Sequence, residues 1–227
     1  MWVGSGVSSL ARLPLGTAND FATSATIPLH DFEAALRLAA GGKPVACDVG
    51  CVTDRWFLNM ASGGFSAEVT AHTPATLKNA LGGSGYGLEA VAMAVRPYVR
   101  HAQVLTPADA FTADLVMFAV GNGQQAGGGV VLAPHAFIDH GLLDLTLVPI
   151  YEAGRLSHFI ADLARLRAGK VDGFRQLRAP RFRIETQEDV QVNLDGKPLF
   201  GRKFEFEVHP RVLRLILPTG CPLIQAL

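Results

Sequence analysis

Lys43-Pro44-Val45-Ala46-Cys47-Asp48-Val49-Gly50-Cys51-Val52 is the stretch at which the hydrophobic pattern of this chain changes period. Ahead of it, Phe32, Ala35, Leu36 and Ala39 recur at helical spacing behind Asp31, a good N-cap, and Gly41-Gly42 stops the helix. From Lys43 onward the pattern alternates. The alternation predicts strands over 43–52, 55–60, 102–106, 115–121, 142–150, 181–186, 190–194, 203–208 and 212–217. Thr53-Asp54, Pro107-Ala108-Asp109 and Asp195-Gly196 supply turns between them. Two further helices are expected, over 86–95 and 155–167, the second with an apolar stripe of Leu156, Phe159, Ile160, Leu163 and Leu166. Residues 1–13 show no period and read as a loop. Many short, mostly antiparallel strands with few helices make a mainly β, α+β chain, a sandwich or barrel.

The bulk numbers fit a folded domain. Among 227 residues, 49% are hydrophobic and 18% charged, and 24 glycines and 13 prolines suit a chain of turns. Twenty basic side chains balance twenty acidic ones, so no global positive field exists to hold nucleic acid. The three cysteines, Cys47, Cys51 and Cys221, form no CxxC pair, and they read as buried apolar thiols in a reducing, cytoplasmic compartment. No stretch has the length of a membrane span or the layout of a signal peptide, so a soluble protein is expected.

The strongest local motif is Pro14-Leu15-Gly16-Thr17-Ala18-Asn19-Asp20-Phe21-Ala22. Gly16 would let the backbone approach a ligand, Thr17 and Asn19 carry donors, and Asp20 would cap a following helix whose amides favour an anion. From spacing alone an ordinary strand-to-helix turn is the favoured reading. Gly127-Gly128-Gly129 reads as a phosphate cradle or as a tight turn. Arg155, Arg165, Arg167 and Lys170 flank the second expected helix and could touch anionic lipid, although a solvated face is the simpler account. His30, His72, His101, His135, His158 and His209 have no metal-binding spacing.

The 14–22 run resembles the phosphate-side motif of the diacylglycerol-kinase catalytic superfamily, where a PLGTxNDFA segment follows a glycine-rich GGDGT loop. Other segments occur in that family's order: Asn59-Met60-Ala61-Ser62-Gly63-Gly64-Phe65, the 121–129 run from Gly121-Asn122-Gly123, Pro134-His135-Ala136 with Gly141-Leu142-Leu143, Asn193-Leu194-Asp195-Gly196, and the ending Leu217-Pro218-Thr219-Gly220-Cys221-Pro222-Leu223. Together they resemble YegS-type bacterial lipid kinases over about residues 13–224. The resemblance implies transfer of the γ-phosphate of ATP to a lipid hydroxyl with Mg²⁺ or another divalent ion. It also implies an α/β nucleotide domain and a C-terminal β-sandwich. Residues 1–44 are expected to be a remnant of the first and 45–227 the second. Gly16, Thr17, Asn19 and Asp20 would meet the nucleotide. The metal loop would use the backbone of Phe137 and Leu142 with position 140. Asp195 would be the catalytic carboxylate.

Three features depart from that pattern. GGDGT is absent, which suggests the back three-quarters of such a kinase, impaired by itself. Lys197 stands where the family has an acid proposed as proton acceptor, and His140 stands where it has the aspartate of an Asp-Gly-Leu metal loop, with Asp139 and Asp144 as alternative carboxylates. A non-catalytic lipid- or protein-binding module is therefore the rival reading. An uncovered apolar face at 14–22 and at Phe32/Leu36 would favour self-association, and a lipid substrate implies peripheral membrane contact.

Overall fold

The computed structural model describes residues 9–64, 99–149, 165 and 174–225. α1 (Asp20–Ser24) follows the 14–19 loop, and α2 (Phe32–Gly41) forms where helical spacing begins. The Asp31 carboxylate accepts the Ala34 amide at 2.9 Å, satisfying one of the N–H groups a helix start leaves without a partner. Ala35 is buried and Leu38 packs inward, whereas Phe32 and Leu36 stay 52% and 44% exposed. The expected uncovered face is therefore present on α2. In the 14–22 run Leu15 is exposed, but Phe21 and Ala22 are buried.

The strands are β1 (Pro44–Val52), β2 (Arg55–Phe57), β3 (Met60–Gly64), β4 (Val99–Leu105), β5 (Ala110–Gly121), β6 (Gln125–Ala126), β7 (Val130–Val131), β8 (Leu143–Pro149), β9 (Arg175–Ala179), β10 (Arg181–Leu194) and β11 (Lys197–Ile216). One antiparallel sheet runs β2-β1-β11-β10-β3-β5-β8-β9, and β4 pairs with both β10 and β5. The first part of β10 pairs with β4 and its end with β3, while β5 pairs with the same two strands. Those four strands close a circuit, so the sheet folds over on itself around one core, as a sandwich requires. β6 and β7 form a separate hairpin.

Period-two burial drives this closure. On β11, Phe204, Phe206 and Val208 are buried while Glu205 and Glu207 between them are exposed. Phe118 of β5 meets Phe206 edge to face, with ring centroids 6.3 Å apart. A second core lies under the N-terminal segment, where Phe21, Ala22, Ala25 and Ile27 pack against Cys47, Ile138, Leu215, Leu217, Cys221 and Leu223. The chain is also tied there by its backbone, because Leu10 bridges Leu215 in parallel.

Several boundaries differ from the sequence reading. The single strand expected over 55–60 is two strands, broken at Leu58-Asn59. The four expected over 181–217 are two long ones, irregular between Glu185 and Val190 and opposite Asp48. β9 was not expected, since it offers only Leu177 and Ala179 to the apolar side. The expected helix 86–95 lies outside the described residues. Of 155–167 only Arg165 is described, helical and exposed.

Candidate functional site

Asp195 and Gly196 join β10 to β11, and both have positive φ, 47° and 92°. Two left-handed residues make the tight hairpin turn whose twist matches paired strands. The turn aims the Asp195 carboxylate at the break between β2 and β3. Its Oδ2 accepts the Leu58 amide at 2.7 Å, its Oδ1 accepts the Met60 amide at 2.9 Å, and the Asn59 amide lies 3.2 Å from both oxygens. Three successive amides that leave the ladder are thus collected by one carboxylate. Lys197 pairs with Leu194 across the turn, is exposed, and makes no ion pair among the described residues.

From that break a polar path runs into the core. The Asn59 carbonyl accepts the amides of Asn122 and Gly123 at 3.0 and 2.7 Å, and its side chain donates to the Gln125 carbonyl at 2.8 Å. Asn122, fully buried, donates to the carbonyls of Leu58 at 2.7 Å and Asp48 at 3.1 Å. Asp48 is also fully buried; its Oδ2 accepts the Gly141 amide at 2.6 Å and its Oδ1 the Arg211 amide at 2.9 Å. Arg211, at φ 56°, lies in extra residues of β11 opposite Asp48. Sequence reasoning passed over Asp48 as one residue of a strand. The available signal was an acid in the middle of an otherwise apolar run.

The 14–22 motif is closed by its own asparagine. Asn19 adopts a left-handed backbone (φ 51°). Its Oδ1 accepts the Gly16 amide at 2.9 Å, and its Nδ2 donates to the carbonyls of Gly16 at 2.6 Å and Pro14 at 3.3 Å. Thr17 is left exposed beside these bonds. Asn19 occupies the cap position without a side-chain cap bond, so Asp20 is the first residue of α1 and not its cap. The Asp20 carboxylate crosses to the glycine hairpin between β6 and β7 and accepts the amides of Gly129 at 2.7 Å and Gly128 at 3.1 Å. Gly127, Gly128 and Gly129 all have positive φ, the backbone form that turns amides toward an anion. Here the anion is a carboxylate of the chain itself.

Residues 137–142 are the segment for which a metal was expected. The His140 side chain is 7% exposed, its Nε2 lies 3.5 Å from Asp144 Oδ2, and its ring meets that of Phe137 edge to face. Asp144 Oδ1 accepts both Nε and Nη2 of Arg178, at 3.1 and 2.9 Å. Asp139 accepts the Gln225 amide at 3.0 Å. Mg²⁺ requires oxygen ligands in octahedral array, and among the described residues no three His, Cys, Asp or Glu side chains converge on a metal position. At position 140 the side chain offers ring nitrogen where Mg²⁺ prefers oxygen, so the side-chain donors of this loop do not fit that ion.

Motifs distant in sequence therefore meet in one hydrogen-bonded frame, and that order of motifs can be compared with known proteins. Residues 59–217 match the YegS C-terminal NAD kinase beta sandwich-like domain, and residues 4–52 the diacylglycerol kinase catalytic domain. A probable lipid kinase YegS-like of Pseudomonas aeruginosa is 41% identical over 98% of this chain and 72% of its own length. The chain belongs to the YegS-like lipid kinase family. A relative described in the same words from Stenotrophomonas maltophilia is 40% identical over 95% of this chain and 71% of its own length. In three dimensions the chain is similar to a putative diacylglycerol kinase from Bacillus anthracis, at a TM-score of 0.75 and 25% identity over 94% of this chain and 69% of that one. The YegS-like frame lies apart from an open groove of about 610 Å³ lined by Trp56, Arg181, Arg183 and His209, which holds none of the motif residues. Among the described residues no helix is long and apolar enough to cross a membrane.

Proposed function

We propose that this chain carries the phosphoryl-transfer face of an ATP-dependent lipid kinase, moving the γ-phosphate of ATP to a lipid hydroxyl at a cytoplasmic membrane surface. The observation that supports it is the continuous path from the 14–20 loop, through Asp20 and the glycine hairpin, to Gln125, Asn59 and Asp195. Loose phosphoryl-transfer transition states demand alignment and charge stabilisation more than strong bases, and a braced frame supplies alignment. In this reading Thr17 and the loop backbone at Gly16 face the nucleotide, Asn19 keeps the loop closed, and Asp20 and Asp195 hold the two loops in register. Mg²⁺ arrives as part of the MgATP substrate, since the 137–142 loop does not fit it.

The GGDGT loop of the family is not among these 227 residues, so we propose that the polypeptide alone binds ATP weakly. A second reading, a non-catalytic lipid- or protein-binding module, is supported by one observation: Lys197 occupies the position of the family's acid. The experiment joins the chain behind the N-terminal segment of the Pseudomonas relative and offers it labelled ATP with separated lipid classes. Label in one lipid class supports the kinase, and Lys197→Glu reports whether the acid was needed. A folded, ATP-binding fusion that labels no lipid leaves the module reading.

A further inference from the structure

We infer that in this chain the 137–142 loop is closed by an internal guanidinium strut, Arg178, in place of a bound Mg²⁺. An ion in such a loop draws oxygen atoms together and balances their charge. Arg178 does both. Its Nε and Nη2 hold Asp144 Oδ1, its cross-strand partner on β8, and the same Nη2 donates to the His135 carbonyl at 2.9 Å, so one cation ties together a carbonyl ahead of the 137–142 loop and a carboxylate just after it. The fixed fork of a guanidinium suits that double task. Its single positive charge matches the single negative charge of Asp144.

The remaining acids are committed elsewhere. Asp48 binds the amides of Gly141 and Arg211, and Asp139 binds the amide of Gln225. The loop is thereby fastened at Gly141 by Asp48, and its two flanks are held together by Arg178. His140 fills the place of the family's aspartate with a nitrogen ring packed against Phe137. Imidazole is a ligand for transition metals and a poor one for Mg²⁺. Both ring nitrogens and Asp144 Oδ2 lack hydrogen-bond partners, so those atoms are where the test must look for a softer ion.

The test is thermal unfolding of the 227-residue chain in EDTA and in millimolar Mg²⁺, Mn²⁺ or Zn²⁺, with calorimetric titration of Mg²⁺ alongside. This readout is stability, so it stands apart from whether the chain transfers phosphate. The strut predicts an unchanged Tm with each metal and no saturable Mg²⁺ heat. Arg178→Met should lower Tm in EDTA, and the double variant His140→Asp with Arg178→Met should gain a saturable upward shift in Mg²⁺. A Tm of the natural chain that rises with Mg²⁺ would overturn the inference. So would a rise with Mn²⁺ or Zn²⁺ that His140→Ala removes, or a folded double variant indifferent to Mg²⁺. Where the double variant does not fold, the titration of the natural chain decides alone.

Discussion

Asp20 Oδ1 lies 2.7 Å from the amide nitrogen of Gly129, across 109 residues of sequence. This bond and its neighbour to Gly128 fasten the 14–22 motif to the β6–β7 hairpin. Without them the β6–β7 hairpin is held, among the described residues, by its own two-residue ladder, by the Leu132 and Ala133 amides on the Gln124 carbonyl at its base, and by the Asn59 bond to Gln125. Asp20→Ala is expected to lower unfolding free energy by about 1–2 kcal/mol, the scale of a lost charge-assisted hydrogen-bond pair on a partly exposed surface. Hydrogen exchange at Gly128 and Gly129 should quicken locally. Unchanged exchange at those two amides would show that the bond does not hold the hairpin.

Asp195 collects the amides of Leu58, Asn59 and Met60, so its removal should be felt as a fold defect before it is felt as lost chemistry. Asp195→Asn places an amide donor against amide donors and should cost about 2 kcal/mol in urea unfolding. Lys197→Ala, two residues on and exposed, should change stability by less than about 0.5 kcal/mol. Equal stability of Asp195→Asn and the natural chain would mean that the carboxylate is free for another role.

Burial pushes the Cys47 thiol up from 9.0 to about 12, and the same cause raises Cys51 and Cys221. A raised thiol pKa keeps the neutral form in the folded chain, so its contribution is complete below about pH 9. As pH rises from 9 toward 12 the unfolded chain ionises first and stability falls. A melting series should show this alkaline loss, with a shallower slope in Cys47→Ala. A flat profile in the natural chain over that interval would contradict the burial of the thiol.

Gly63 on β3 sits beneath the ring of Phe118, where an added Cβ would come within 2.4 Å of the ring. Gly63→Ala should therefore destabilise by about 1–3 kcal/mol through overpacking. The pair Gly63→Ala with Phe118→Leu should recover part of that loss in a double-mutant cycle, and strict additivity would argue that the two do not touch.

The fold was legible wherever one face of an element met the core. The Asp31 cap and the Phe204-Phe206-Val208 alternation state their elements locally, and both are found as read. β1 shows why alternation alone misleads: all of its residues from Cys47 to Val52 are buried, because α1 and the C-terminal segment cover the side that a simple sheet leaves to water. β6, β7 and β9 are too short or too polar to give a period. In the site, the motifs announced themselves but their bonds did not. Asp20 looked like a cap for the next helix and instead reaches a glycine hairpin far along the chain. Asp48 and Arg178 belong to no motif, and only the folded chain shows that they fasten the loops the motifs create.

Transfer of labelled γ-phosphate from ATP to lipid, by the chain joined to the N-terminal segment of its Pseudomonas relative, tests the central claim most directly. The frame predicts a labelled lipid product formed mole for mole with ADP, and a rate reduced at least about tenfold by Asp20→Ala, equivalent to about 1.4 kcal/mol of alignment lost in the transition state. A folded fusion that binds ATP but gives no labelled lipid, or one whose rate ignores Asp20→Ala, would contradict it.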